Sequence, residues 1–270
     1  MRDQSSYNFA TSRSSSPIVV VSHPRSGNTL MLDFVRRHFP QSARRKMPLQ
    51  NPQSLILDIG AIWKNKMTEK KARQRLTESN IPLIKMHGFD LPRLQEVCPE
   101  FMKDLFAHGK IFYVVRDVRS MLCSYHEYAK LFWEPARVPI SEFIRQEEAE
   151  AGIPNTSRVK YWSNEVVYWG QLPGVTLMQF ERFFEDPIRQ LETIAQVLKQ
   201  PAKIKHPLIP PKTDNRWQGY VNRYLTILPS STSAPMKKPT PNWFESFDES
   251  DLQFIREEGG EALDLLGYSI

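Results

Sequence analysis

The chain has 270 residues, 40% of them hydrophobic and 24% charged, with a formal net charge of +6 from 36 basic and 30 acidic side chains. That balance excludes a fibrous or wholly disordered chain and leaves room for a sizeable core without disulfides. Two cysteines, Cys98 and Cys123, exclude a disulfide framework or a Cys-rich zinc site, and no apolar run reaches the length of a membrane span.

Residues 1–16 are polar and serine-rich, and are expected to be a disordered lead rather than a signal peptide, which places the protein in the cytoplasm. Residues 17–270 are expected to form one domain. Residues 17–22 predict a buried strand, because Ile18, Val19, Val20 and Val21 run without a break. A helix follows over 27–38, with Leu30, Phe34 and Val35 on one face. A short strand is predicted at 83–85, a mostly helical stretch at 91–107, and a β-branched, aromatic strand at 111–115. Then come a helix over 118–131, a strand over 175–180 entered through Pro173-Gly174, and a helix over 187–199 opened by proline. A last helix over 251–266 ends at Gly267. Strands alternating with helices predict an α/β fold: a parallel sheet flanked by helices. The proline-rich stretches 201–212 and 229–241 predict surface loops.

Three motifs carry chemistry. Directly after the first strand comes Ser22-His23-Pro24-Arg25-Ser26-Gly27-Asn28-Thr29. A strand that turns tightly into a helix N-terminus gathers backbone N–H groups and the positive end of the helix dipole at one place, which favours an anion. Gly27 permits close approach, Arg25 offers a charged fork, and Ser26, Asn28 and Thr29 offer further donors. The loop is P-loop-like, without the Gly-Lys-Ser/Thr ending of the ATPase form. The second motif is Arg116 at the end of the third predicted strand, with Ser124 eight residues later, about two helical turns into the next helix. Ligands bind at that edge of open α/β sheets. The third is Lys85-Met86-His87, whose outer two side chains share one face of a strand. Lysine can steady negative charge while histidine takes a proton.

In their order and spacing the three motifs resemble the PAPS-dependent sulfotransferases, where PAPS is 3′-phosphoadenosine 5′-phosphosulfate. Pro24 to Thr29 is similar to that family's 5′-phosphosulfate loop, and Arg116 with Ser124 to its 3′-phosphate motif. Lys85-Met86-His87 is similar to its catalytic Lys-Thr-His. Phe180-Glu181-Arg182 resembles its Tyr-Glu-Asp segment, and Lys237 and Lys238 before Asn242-Trp243 resemble the basic residues before its Gly-Asp-Trp. The resemblance implies a P-loop-like sulfotransferase fold and in-line sulfuryl transfer from PAPS, with release of 3′-phosphoadenosine 5′-phosphate (PAP). It implies His87 as base, Lys85 and Arg25 as charge stabilisers, and no metal. Pro24, Arg25, Ser26, Gly27, Asn28, Thr29, Arg116, Ser124, Phe180, Lys237 and Lys238 would hold the donor, Phe180 by stacking on adenine. The chain departs from the pattern at Leu30, where the family often has an adenine-stacking Trp, and lacks a clear match to the animal enzymes' dimerisation motif.

The implied acceptor is a hydroxyl or amine of a small molecule, such as a bacterial natural product, with neither nucleic acid nor membrane as partner. Glu147, Glu148 and Glu150 would suit a cationic acceptor if they lay at a pocket mouth, and Trp63, Phe132 and Trp133 could line an aromatic pocket. The alternative is a P-loop nucleotide or small-molecule kinase. The basic clusters at 36–46 and 64–75 lack the interleaved aromatics of a single-strand binding surface.

Overall fold

The computed structural model describes residues 16–39, 56–77, 81–148, 153–204, 208–209 and 243–269. Five strands form a parallel sheet in the order β2-β3-β1-β4-β5. They are β1 (Ile18–Ser22), β2 (Ile56–Asp58), β3 (Leu83–His87), β4 (Lys110–Val115) and β5 (Val175–Gln179). The central strand shows why the sheet is covered on both sides. Val19 and Val21 enter one apolar core, and Ile18 and Val20 enter the other. A strand buried on both faces reads as an unbroken apolar run.

Helix α1 (Asn28–His38) lies against the second face, together with α9 (Arg182–Glu185) and α10 (Pro187–Leu198). The first face carries α2 (Gly60–Trp63), α3 (Glu69–Thr77), α4 (Asp90–Val97), α5 (Pro99–His108), α6 (Val118–Ala129), α7 (Ile140–Arg145) and α8 (Arg158–Gln171). Two C-terminal helices, α11 (Trp243–Ser246) and α12 (Glu249–Leu266), join that face, and α12 packs along α8. Side-chain caps set several helix starts. Asp117 accepts from the Arg119 amide, Ser157 from Lys160 and Asp248 from Asp251. Gly267, at φ 70°, closes α12 in the left-handed conformation.

The structure departs from the predicted elements in several places. The helical stretch 91–107 is two helices, because Pro99 starts α5 and pulls Cys98 to φ −147°, out of helical space. The predicted strand at 83–85 runs on to His87. Strand β2 and helices α2, α3, α7, α8, α9 and α11 were not predicted. Helix α8 hides behind strand-like residues: Val159, Tyr161, Trp162, Val166, Val167, Tyr168 and Trp169. Its helical signal is the spacing of the buried Val159, Trp162, Val166 and Trp169. Among the described residues no helix is long and apolar enough to cross a membrane.

Candidate active site

Sheet order brings the motifs together. β1 has β3 on one side and β4 on the other, with Ser22 level with both His87 and Val114. The loop after β1 therefore lies between the Lys85-Met86-His87 strand end and the Arg116 strand end. From β1 the chain goes to the edge strand β2, returns to β3 beside β1, and then crosses to the other side of β1 at β4, and ligands bind at such a switch point in open α/β sheets.

The loop is shaped for an anion. Gly27 caps α1 at φ 110° and supplies no side-chain hydrogen bond, and no acidic residue sits in the first turn. The first N–H groups of α1 thus keep their capacity for a bound anion. A Cβ at Gly27 would lie 2.4 Å from the Phe180 ring, so both the backbone angle and the space require glycine. Arg25 also has positive φ, 66°. Its Nε donates to Ser124 Oγ at 3.3 Å, and its guanidinium lies 5.0 Å over the Tyr128 ring. Arg116 donates through Nη1 to the Arg25 carbonyl at 3.3 Å and lies 4.7 Å from the Phe180 ring centroid. Burial lowers the pKa of both arginines, and in Arg116 the carboxylate of Glu181 opposes that shift. Two arginines pressed this close, with Arg116 Nε and Ser26 Oγ buried and without partners among the described residues, fit a phosphate-bearing ligand.

Other side chains brace this edge. Glu181 accepts from the Asp117 amide at 3.1 Å and from the Tyr268 hydroxyl at 2.6 Å. Asp117 in turn takes the Arg119 guanidinium on both oxygens, at 2.6 to 3.2 Å.

On the other side of β1, Lys85 Nζ donates to Asp58 Oδ2 at 2.9 Å, a contact that β2 makes possible. His87 Nδ1 lies 3.2 Å from the Ser22 carbonyl oxygen, which can only accept. That fixes the proton on Nδ1 and leaves the lone pair on Nε2. Burial first, and the Lys85 charge second, lower the His87 pKa, so the ring is neutral. It is therefore set to accept a proton.

Not every expected residue has the expected job. The Asn28 amide was expected to offer donors to phosphate. Its Nδ2 instead donates to the carbonyls of Val20 (3.2 Å) and Met86 (3.1 Å), tying β1 to β3, so only its backbone N–H faces the anion task. Phe180, expected to stack on adenine, is 7% exposed and packed between Gly27, Arg116 and Phe184, which leaves little ring face for a base. Leu30 is buried. Thr29 is exposed on the first turn of α1, where its hydroxyl can reach a ligand. Lys237 and Lys238 lie outside the described residues, as does Glu150. Glu147 accepts from the Asn155 amide, and Glu148 is buried rather than at a mouth. Trp63 donates to Asp90, Trp133 packs under the Arg158 guanidinium, and Phe132 is 74% exposed, so the three do not form one pocket wall. His126 donates through Nε2 to the Val138 carbonyl (2.8 Å) and packs on Phe143.

A buried polar cluster beside His87 was not foreseen. Its members come from five elements: His23, Tyr113, Tyr125, Glu148, and Tyr161 with Glu165 on α8. The His23 ring lies 5.7 Å from Tyr125 and 6.0 Å from Tyr161. Tyr125 donates to Glu148 at 3.0 Å, and Tyr161 to Glu165 at 2.9 Å. Burial drives the His23 pKa down to about 3 and the Glu165 pKa up to about 8. The Glu165 carboxyl presses against Gly88, the residue after His87, so closely that a Cβ there would lie 1.6 Å from Oε1. Among the described residues no group of three His, Cys, Asp or Glu side chains could hold a metal ion.

Comparison with known proteins bears on this geometry. A family model described as "Sulfotransferase domain" matches residues 15–258. No curated protein sequence matches the chain. Mouse sulfotransferase SULT7A1, solved with PAP, is 14% identical at a TM-score of 0.54, with 94% of this chain and 86% of that one covered. Retinol dehydratase, solved with androsterone and PAP, is 17% identical at a TM-score of 0.55, covering 92% of this chain and 80% of that one. The same fold recurs in retinol dehydratase with retinol and PAP, at 15% identity, a TM-score of 0.50, and coverage of 92% of this chain and 81% of that one.

Proposed function

The chain belongs to the sulfotransferase family, PAPS-dependent enzymes that transfer a sulfuryl group and release PAP, and we propose that the carboxyl ends of β1, β3 and β4 are where it does so. Residues 17–270 work as one domain around that edge. The kinase alternative is not favoured by the family match. The observation that carries the site is the contact of Arg25 with both Ser124 and Arg116, which joins the two phosphate motifs at one place.

PAPS supplies an activated sulfuryl group, whose S–O bond to the 5′-phosphate breaks as an acceptor O–S or N–S bond forms. Backbone N–H groups at the start of α1, with Arg25, Ser26 and Thr29, hold the 5′-phosphate. Arg116 and Ser124 hold the 3′-phosphate, the group that separates PAPS from ATP. His87 takes the acceptor proton at Nε2, and its Nδ1–H stays on the Ser22 carbonyl. Lys85 steadies charge at the transferring group, as cationic clamps do in phosphoryl transfer. The acceptor is a small molecule, in keeping with the androsterone and retinol found with retinol dehydratase.

Thermal unfolding tests the donor assignment, because a ligand bound only to the native state raises its melting temperature. PAP is expected to stabilise the protein well beyond ADP or ATP at equal concentration. Equal stabilisation by all three would remove the role given to Arg116 and Ser124.

A further inference from the structure

Glu165 is a buried carboxyl group that the donor chemistry leaves unused. It is 7% exposed, its Oε1 accepts from Tyr161, and its Oε2 has no hydrogen-bond partner among the described residues. The cluster's buried guanidinium does not serve it. Arg158 pairs with Glu148 at 3.5 Å and gives its Nη1 protons to Phe143 O and Gln146 Oε1, while its Nε and Nη2 make no hydrogen bond among the described residues, to Glu165 or to any other acceptor. Two more buried polar atoms in the cluster are without partners among the described residues: His23 Nε2, which holds a lone pair because Nδ1 faces the Pro24 carbonyl, and the Tyr113 hydroxyl, which can accept or donate. Buried polar atoms are ordinarily paired, so the unpaired Glu165 Oε2, beside the base and beyond hydrogen-bond reach of the Arg158 guanidinium, calls for a partner. The neighbouring charges state which kind. Asp90 and Glu148 both act on Glu165 as like charges, so the surroundings favour a cation.

We propose that Glu165 is the anchor for a cationic nitrogen of the acceptor, an ammonium or a guanidinium, and that the acceptor is a hydroxylated organic cation. The proposal rests on the sulfotransferase reading of the strand ends. An ammonium or guanidinium held by a carboxylate stays protonated and is a poor nucleophile, so the reacting atom is a hydroxyl elsewhere on the same molecule. Its proton goes to His87 Nε2 and its oxygen forms the new bond to sulfur. Gly88 brings the anchor and the base together, since no side chain could stand between the Glu165 carboxyl and the backbone that follows His87.

Protonation gives the proposal a readout that a packing role would lack. Without a cation Glu165 is held largely neutral at pH 7, its pKa raised to about 8 by burial and by Glu148 and Asp90, against the hydrogen bond from Tyr161. His23, His87, Tyr113, Tyr125 and Arg158 are the other titratable or charged groups of the cluster; His23 and His87 have lowered pKa values and Tyr113 a raised one, so these three are neutral between pH 7 and 8.5. A cation must therefore displace the Glu165 proton, and its affinity should rise about eightfold from pH 7 to 8.5, as the ionised fraction rises.

The test is calorimetric binding to the PAP-loaded protein of two matched pairs, tyramine against tyrosol and phenylguanidine against phenylurea. Each cation is expected to bind more than about tenfold tighter than its neutral partner, with proton release at pH 7. Glu165→Gln should bring each pair within about twofold and abolish the proton release, while PAP still raises the melting temperature as in the wild type. If PAP stabilises the protein and the members of each pair bind alike, or not at all, the cation anchor is wrong and the donor site stands. If PAP gives no stabilisation, the sulfotransferase reading of the strand ends fails and this proposal goes with it.

Discussion

The edge between β1 and β4 and the interior between β3 and α8 handle charge in opposite ways. At the first, two arginines crowd together beside an uncapped helix start, and Glu181, the carboxylate that offsets the Arg116 charge, is itself tied to the Tyr268 hydroxyl and the Asp117 amide. At the second, carboxylates are buried among tyrosines, and the one guanidinium present is taken by Glu148. One region is prepared for anions and the other for something that donates protons or carries positive charge. A two-substrate transferase needs such a division, because the donor brings several negative charges and the acceptor must not compete for their place.

The largest effect should come from the residue between the two regions. His87→Ala is expected to lower kcat by about a hundred- to ten-thousand-fold, the usual cost of losing a general base. PAP should still raise the melting temperature, because the proposed donor contacts, Arg25, Arg116 and the loop, are left intact. His126, on the helix that follows Arg116, donates to the Val138 carbonyl, so His126→Ala should cost stability rather than chemistry. A dead His126→Ala enzyme with normal melting, beside an active His87→Ala enzyme, would reverse the assignment.

The buried cluster should show itself next in the pH dependence of stability. His23 has its pKa lowered to about 3, mainly by burial. Below its ordinary value of 6.5 the unfolded chain takes up a proton that the folded chain refuses. His23 therefore contributes stability above pH 6.5 that is lost as pH falls toward 3, on the order of 5 kcal/mol at full extent. Glu165 works in the opposite sense. Its folded pKa of about 8 means the folded chain holds the extra proton between about 4.5 and 8, so stability falls as pH rises through that window. Denaturant melts of wild type and His23→Gln across pH 4 to 7 separate the two, since only the His23 contribution disappears. Parallel stability curves for the two proteins would show that His23 is not buried in its neutral form.

On the donor side the effect is smaller but more selective. Arg116→Ala should raise the KM for PAPS by about ten- to a hundredfold, the worth of a charge-assisted hydrogen bond. It should also bring PAP and ADP to similar melting shifts. Loss of affinity for both nucleotides in equal proportion would place Arg116 on a phosphate common to them.

The two regions were not equally legible in the sequence. The donor loop is a run of adjacent residues, and Ser124 follows Arg116 at a fixed helical distance, so local spacing carries the signal. Lys85 and His87 share a strand face for the same reason. The buried cluster draws on Tyr113, Tyr125, Glu148, Tyr161 and Glu165, which only the tertiary fold brings together. Its most important helix, α8, was hidden because its aromatic and β-branched residues carry a strand-like propensity that tertiary packing overrides. The misassigned jobs of Asn28 and Phe180 have a related cause. A loop motif states which side chains are near the ligand, but not which of them are spent on holding β1 to β3 or on filling the space over Gly27.

Strand β2 was missed because three residues give too short a pattern to read, and it supplies the smallest of the expected effects. Its last residue, Asp58, holds Lys85 at 2.9 Å, with the two side chains 49% and 28% exposed. A pair this open to solvent contributes about 1 kcal/mol or less to stability, and salt screens it. Its consequence is positional: while Asp58 holds the ammonium, Lys85 points toward the sheet edge, and a negatively charged donor must draw it away. Asp58→Asn should therefore leave the melting temperature within a few degrees of wild type. It should change turnover by less than about fivefold, with the change shrinking as ionic strength rises. A loss of turnover as large as that of His87→Ala, persisting at high salt, would mean that Asp58 fixes Lys85 in its working position and that the pair belongs to the catalytic side of the molecule rather than to its edge.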